Sequence, residues 1–319
     1  MKNPFFKELF RRHPGNPILT SREMPYPVNS VFNAGATAFG DQTLLLLRVE
    51  ERSGISHLTA ARSKDGVGSW RIDERPTLRP CPETFPEEIW GIEDPRITYL
   101  EKLESWVVAY TAYSKSGPLV SLAKTRDFRT FERIGAVMPP EDKDAALFPV
   151  RFGGRWAMLH RPVATFPSTG AHIWISFSPD LKHWGDHSIL IPARKGGWWD
   201  ADKIGLSPPP LRTEEGWLIL YHGVRTTASG SIYRLGLALL DLEDPRRLII
   251  RSDEWIFAPE EDYEIFGDVD KVVFPCGWIL EGDEIRLYYG GADTCIALAT
   301  ASIKELLAWL REHNAIQGG

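Results

Sequence analysis

The segment Gly91–Ile97 reads GIEDPRI and sets two adjacent acids, Glu93 and Asp94, ahead of a proline and an arginine. A carboxyl held in a fixed turn can pass a proton to a leaving group. Aspartate before proline is equally an ordinary turn former, and Arg96 could simply pair with it. Three cations, Lys143, Arg161 and Lys203, recur in comparable contexts further along, and with Arg48 they could form a basic cradle for a phosphate or a carboxylate. Each could instead neutralise a nearby acid such as Asp144 or Asp202. Asn33, His160, Tyr221, His222, Tyr289 and Asp293 complete the polar set at the same kind of position. Burying so many ionisable groups is costly unless they are paired or used, so together they point to a site.

Other chemistries find no support. GxSxG, the P-loop and GxGxxG are all missing from the sequence. His183 and His187 stand four apart, but WGD lies between them in what reads as a turn, so no metal pair is expected. No metal site and no cofactor are expected. The KGGWW stretch (Lys195–Trp199) reads as an aromatic lid over a sugar or as an exposed loop.

The elements that must position these residues repeat. Five strand-like segments end in polar or aromatic residues: Thr43–Arg48, Trp106–Tyr113, Arg155–Pro162, Gly216–Gly223 and Glu284–Gly291. Each is followed by a turn and a further strand, which aligns Ser63, Thr125, Ser178, Leu240 and Ala301 at steps of 62, 53, 62 and 61 residues. A third set opens each copy: SVFNAGA, GIEDPRI, KDAALFPV, KIGLSPPP and DKVVFPCG. Short strands repeating at this step are the signature of propeller blades, so the chain is expected to be all-β, a five-bladed β-propeller. The innermost strands then line one funnel, and residues remote in sequence meet there. Helical spacing appears only at the ends, in Pro4–Arg11 and in Ser302–His313 with Ser302 as N-cap. The expected division is a helical extension over 1–16, a propeller catalytic domain over 17–301, and a C-terminal helix and tail over 302–319.

Composition sets the outer limits. The 319 residues carry 37 basic and 43 acidic side chains, a net charge of -6, which argues against a nucleic-acid or anionic-membrane binder. Three widely spaced cysteines suggest no disulfide framework, and no signal peptide or long apolar run is read, so a cytoplasmic protein is expected. Twelve tryptophans are unusual; most should fill a β core, though flat aromatic faces also pack on sugar C–H surfaces.

The ordered motifs FNAGA, LLLLRVE, GIEDPRI, KDAALFP, MLHRP, DKIGLSPPP, EGWLILYHGV, VVFPCG and YYGGADT resemble glycoside hydrolase family 130 from about Pro17 to Leu307. The resemblance implies a five-bladed propeller and, in most members, inverting phosphorolysis of β-mannosides to α-mannose 1-phosphate, with inorganic phosphate as co-substrate. By resemblance Asp94 is the general acid, acting through a mannose hydroxyl. Lys143, Arg161, Lys203 and His222 would hold phosphate. Asn33, Arg48 and Asp293 would hold the mannosyl unit, with Glu93, Asp144, His160 and Tyr221 also against substrate. Phosphate needs no base, which fits the lack of an obvious second catalytic carboxylate. Asp144 stands where related phosphorylases can carry Asn; it would repel phosphate or serve as a base for water. Glu93 replaces an aromatic of some relatives. The alternatives are a β-mannosidase that uses water and a non-catalytic sugar-binding propeller. Partners are a β-mannoside and phosphate, and the terminal helices hint at a homo-oligomer. Linkage, acceptor and chain length are not legible.

Overall fold

Leu44, Leu45, Leu46 and Leu47 are consecutive in one strand and all fully buried, which requires apolar cover on both faces. Leu44 and Leu46 pack with Val108 and Tyr110 of the next sheet, while Leu45 and Leu47 pack with Tyr288 and Leu298 of the last one. That arrangement repeats around a ring. The computed structural model describes residues 7–163, 170–228 and 230–314, and among them five antiparallel sheets stand side by side with an apolar layer in every seam. The expected five-bladed propeller is the fold.

The innermost strands of blades 1 to 5 are Ser30–Phe39, Ile92–Leu100, Asp142–Phe152, Lys203–Leu206 and Val273–Glu281, the segments that open each repeat. The aligned residues Ser63, Thr125, Ser178, Leu240 and Ala301 all fall at the ends of the third strands. Three of those ends share a turn. Asp65, Asp127 and Asp180 each accept two backbone N–H groups from the following residues, at 2.8 to 2.9 Å, fixing the step to the outermost strand.

The ring closes with the chain's beginning. Arg11–Arg12 pairs with Cys295–Ser302 and forms the outermost strand of blade 5. This corrects the helix expected over Pro4–Arg11: residues 1–6 lie outside the described residues, and Lys7–Phe10 is not helical. Leu9 and Phe10 instead bury against blade 5, so their apolar spacing serves a packed extended segment. The C-terminal helix is present over Ile303–Glu312, with the Ser302 hydroxyl accepting the Glu305 amide at 3.2 Å. Its Leu306, Leu307 and Leu310 join the same core as Phe10. All three cysteines are free. Among the described residues no helix is long and apolar enough to cross a membrane.

Candidate active site

Three innermost strands carry the same irregularity at the same height. In blades 1, 2 and 3 three residues on the innermost strand span two on its neighbour, between Phe32 and Gly35, Glu93 and Arg96, and Lys143 and Ala146. The first extra residue is Asn33, Asp94 or Asp144, with φ of 47°, 51° and 55°. Asn and Asp tolerate this left-handed conformation better than other residues with a Cβ. Such a bulge re-aims a side chain, and here it turns one amide and two carboxylates toward the axis.

Around Asp94 the partners come from blade 1. The Asn33 amide and Arg48 Nη1 each donate to Asp94 Oδ1 at 2.9 Å, and Arg48 Nη2 donates to Glu93 at 3.0 Å. Arg96 does not pair with the Asp94 carboxylate. It donates to the Asp94 carbonyl at 3.2 Å, crosses the funnel to the carbonyls of Leu206 and Ser207 at 2.9 and 2.5 Å, and reaches Asp144 at 3.4 Å. Burial alone would raise the Asp94 carboxyl, but Arg48, Arg96, Lys143 and Asn33 hold it below its ordinary value. Burial raises Glu93, with Arg48 opposing and Asp94 adding to the rise.

Asp144 is the second centre. Arg161 Nε donates to it at 2.7 Å, and His222 Nε2 approaches to 3.5 Å. Against the effect of burial, Arg161, His222 and Arg96 keep this carboxyl well below the usual range. Burial brings the His222 imidazole down to about 4, with Asp144 only partly opposing, so the ring is neutral at pH 7. Its other nitrogen faces the Ser207 hydroxyl at 3.4 Å, so both ring nitrogens are turned to protein groups. Blade 4 makes room for this contact through Gly205. A Cβ there would lie 2.6 Å from His222 Nε2 and closer still to the Asp144 carboxylate. Gly205→Ala is therefore expected to cost about 1–3 kcal/mol by overpacking, with activity falling beside it. A thermal melt unchanged from the parent would contradict this account.

Lys143 and Lys203 differ from Arg161. Among the described residues neither ammonium has a carboxylate within 4 Å, although Asp144 and Asp202 adjoin them in sequence. Burial, then the charge of Arg161, lowers Lys203 from its ordinary value. The two lysines and Arg161 line a cavity of about 440 Å³ with Tyr113, Glu141 and Asp202. A larger depression of about 790 Å³ beside Tyr26, Glu51 and Arg79 shows no such convergence from several blades.

Asp293 follows blade 5's second strand, with φ 53°. Burial raises its carboxyl to about 7; Arg48 opposes this, while Asp94, Glu93 and Asp268 add to it. An acid that binds its proton more tightly folded than unfolded loses stability as pH rises from the unfolded value toward 7. Asp293→Asn should therefore melt a few degrees above the parent at pH 8 and equal to it near pH 4. A constant difference across that range would sink the assignment.

Some expected residues face elsewhere. His160 Nδ1 donates to the Asp142 carboxylate at 2.6 Å and its Nε2 stands 2.7 Å from the Ser176 hydroxyl, away from the cluster. Tyr221 donates to Asp200 at 3.1 Å and stacks on Trp199 with centroids 5.5 Å apart. Tyr289 donates to Glu264 at 2.7 Å. Of the two readings of Lys195–Trp199, the exposed loop holds over 195–198, whereas Trp199 is buried beneath blade 4 with its indole N–H on the Asp253 carbonyl at 3.1 Å. The loop 164–171 lies mostly outside the described residues. Two groups were missed. The sequence offers Arg96 only as a partner for its neighbour, and Tyr233 stands over the cradle, its ring 5.4 Å from Lys203 Nζ and 5.9 Å from the His222 ring. Among the described residues no set of three His, Cys, Asp or Glu side chains is placed to hold a metal.

A buried acid beside a cavity that carries three cations is what an enzyme consuming an anion would need. Comparison with known proteins agrees: the family model for glycoside hydrolase family 130, described as beta-1,4-mannooligosaccharide phosphorylase, matches residues 3–312. The chain belongs to family 130. This family 130 chain is 32% identical to the beta-1,4-mannooligosaccharide phosphorylase of Ruminococcus albus over 97% of its own length and 93% of the relative's. It is 34% identical to the beta-1,2-mannobiose phosphorylase of Listeria innocua, covering 93% and 97%. A solved structure of Listeria innocua beta-1,2-mannobiose phosphorylase with beta-1,2-mannobiose superposes with TM-score 0.86 and 32% identity, over 95% of this chain and 99% of that one.

Proposed function

We propose that the family 130 chain cleaves β-mannosides by phosphorolysis with inversion, giving α-mannose 1-phosphate. The observation that carries this reading is the cavity lined by Lys143, Arg161 and Lys203 beside the Asp94 cluster, with two of its three cations lacking a carboxylate partner among the described residues. Those two ammonium groups have charge left for a phosphate, and a positioned anion attacks the anomeric carbon without needing a base. Asp94 supplies the proton for the leaving oxygen, through a mannose hydroxyl. Asn33, Arg48 and Asp293 hold the mannosyl ring, and Glu93 fixes Arg48. His222 stands behind the cradle and orients Asp144. His160 and Tyr221 act through neighbours: His160 holds Asp142, next to Lys143, and Tyr221 holds Asp200 in the segment leading to Lys203.

An acid must carry its proton when substrate is bound, whereas the surrounding cations favour the ionised Asp94 in the empty site. An anion in the cradle offsets Lys143, one of the cations that hold Asp94 down, and so raises Asp94. Loading the nucleophile thus protonates the acid. In mildly acidic buffer, where a small rise in a low carboxyl moves protons, sulfate should be bound with net proton uptake, and Asp94→Asn should take up fewer protons. Calorimetry in buffers of different ionisation enthalpy reads this directly, and equal uptake by both proteins would refute it.

The hydrolytic reading needs a base, and Asp144 is a weak one here: it already accepts from Arg161 and Arg96 and is held well below the usual range. The same bonds answer the concern that Asp144 would repel phosphate, because its charge is spent on two arginines. The deciding experiment follows mannose and mannose 1-phosphate from β-1,2-, β-1,3- and β-1,4-mannobiose, with and without phosphate. Phosphate-dependent mannose 1-phosphate supports the proposal; equal release of free mannose without phosphate would overturn it.

A further inference from the structure

Exposure rises sharply along the wall of blade 2. Asp94 is 5% exposed, whereas Tyr113 is 38% and Trp90 47% exposed. The two rings stand with centroids 5.7 Å apart, tilted by 44°. Aromatic side chains of this size are normally covered, and an uncovered pair next to a polar cavity marks a binding surface.

The pair is rigidly mounted. The Trp90 amide donates to the Tyr113 carbonyl at 2.8 Å, and the Tyr113 amide to the Gly91 carbonyl at 3.1 Å. Just before Trp90, the fully buried Glu88 accepts from the Tyr110 hydroxyl at 2.7 Å, from Arg133 at 3.1 Å and from the Cys81 amide at 2.8 Å. A buried carboxylate with three donors pins the turn, so the indole is presented on fixed backbone. Among the described residues neither the Trp90 indole N–H nor the Tyr113 hydroxyl has a hydrogen-bond partner. Tyr113 also lines the cavity that holds Lys143, Arg161 and Lys203, so the aromatic surface is continuous with the cradle.

We infer that Trp90 and Tyr113 form a stacking subsite for a pyranose ring of the leaving oligosaccharide, outward from the sugar that receives the proton. The inference rests on the mannoside reading above. Its direction follows from burial: Asn33 and Asp94 close the inner end at 3% and 5% exposure, so a longer substrate extends outward, the side on which the exposed rings stand. A sugar presents C–H groups to the aromatic faces and hydroxyls to the free indole N–H and phenol. Each sugar that reaches the platform adds affinity; a disaccharide, filling only the positions either side of the cleaved bond, gains none.

The test compares Trp90→Ala, Trp90→Phe and the parent on manno-oligosaccharides of two to four units, in both β-1,2 and β-1,4 series. The preference for tetrasaccharide over disaccharide in kcat/KM should fall about tenfold in Trp90→Ala. Trp90→Phe, which keeps an aromatic face, should retain most of the preference. Equal losses on all lengths, or none, would overturn the subsite. Calorimetric titration of mannotetraose into Asp94→Asn, with and without Trp90→Ala, reads the platform without turnover. Should no mannoside be phosphorolysed, weaker tetraose binding on loss of Trp90 would still uphold the subsite, and unchanged binding would discard it.

Discussion

Replacing Asp94 with Asn is expected to lower kcat/KM on mannobiose by roughly 10²–10⁴-fold, the usual worth of a positioned general acid. The substitution keeps the shape of the side chain and an oxygen to accept from Asn33 and Arg48, both now at 2.9 Å. Arg48 also retains Glu93 at 3.0 Å, so it is not left unpaired in the core. The loss should therefore be one of proton delivery. Two readouts separate that from damage to the site. Mannotetraose should still bind the variant. An aryl β-mannoside with an acidic phenol needs little protonation as it leaves, so its phosphorolysis should fall far less than that of mannobiose. A variant within tenfold of the parent on mannobiose, or one that loses both substrates equally, would remove Asp94 from the role of acid.

Much of this geometry was legible in the chain because blades repeat. Ser63, Thr125, Ser178, Leu240 and Ala301 mark equivalent strand ends, and once those are aligned the openings of the repeats fall on the innermost strands. That places Asp94, Lys143 and Lys203 at the funnel from sequence alone. Which way a side chain points is a matter of strand parity, and parity was harder. On the strand Arg155–Pro162, Arg161 faces the cradle and the adjacent His160 must face away, yet both are polar and both were expected inside. The bulges at Asn33, Asp94 and Asp144 reset that parity, and their left-handed φ leaves no mark except a tolerant residue type. Tyr233 escaped because it lies on Gly230–Leu240, a third strand, reaching inward past the short innermost strand of blade 4. The signal for Arg96 was available: it is the one cation of the strand Ile92–Leu100, but its carbonyl partners at Leu206 and Ser207 lie more than 100 residues away.

The two kinds of cation in the cradle predict two kinds of variant. Arg161 is bonded to the buried Asp144 at 2.7 Å, so Arg161→Ala strips a partner from a carboxylate that is 1% exposed. Breaking a buried pair on one side costs about 3–5 kcal/mol, moderated here by Arg96 and His222. That variant should lose stability along with phosphate affinity, and its kinetics would mix the two. Lys203 has no such tie, and burial together with Arg161 already disfavours its charge in the empty site. An arriving phosphate relieves that penalty, so the ammonium contributes to binding without contributing to folding. Lys203→Ala should raise the KM for phosphate by about 10- to 100-fold, the worth of one charged hydrogen bond. The KM for mannobiose should move little and the melting temperature should stay level or rise. Arsenate, with the same charge and shape, should suffer the same loss. A variant in which both KM values rise together would make Lys203 part of the general architecture. One that turns over mannobiose as fast without phosphate as with it would show that water, not phosphate, occupies the cavity during reaction.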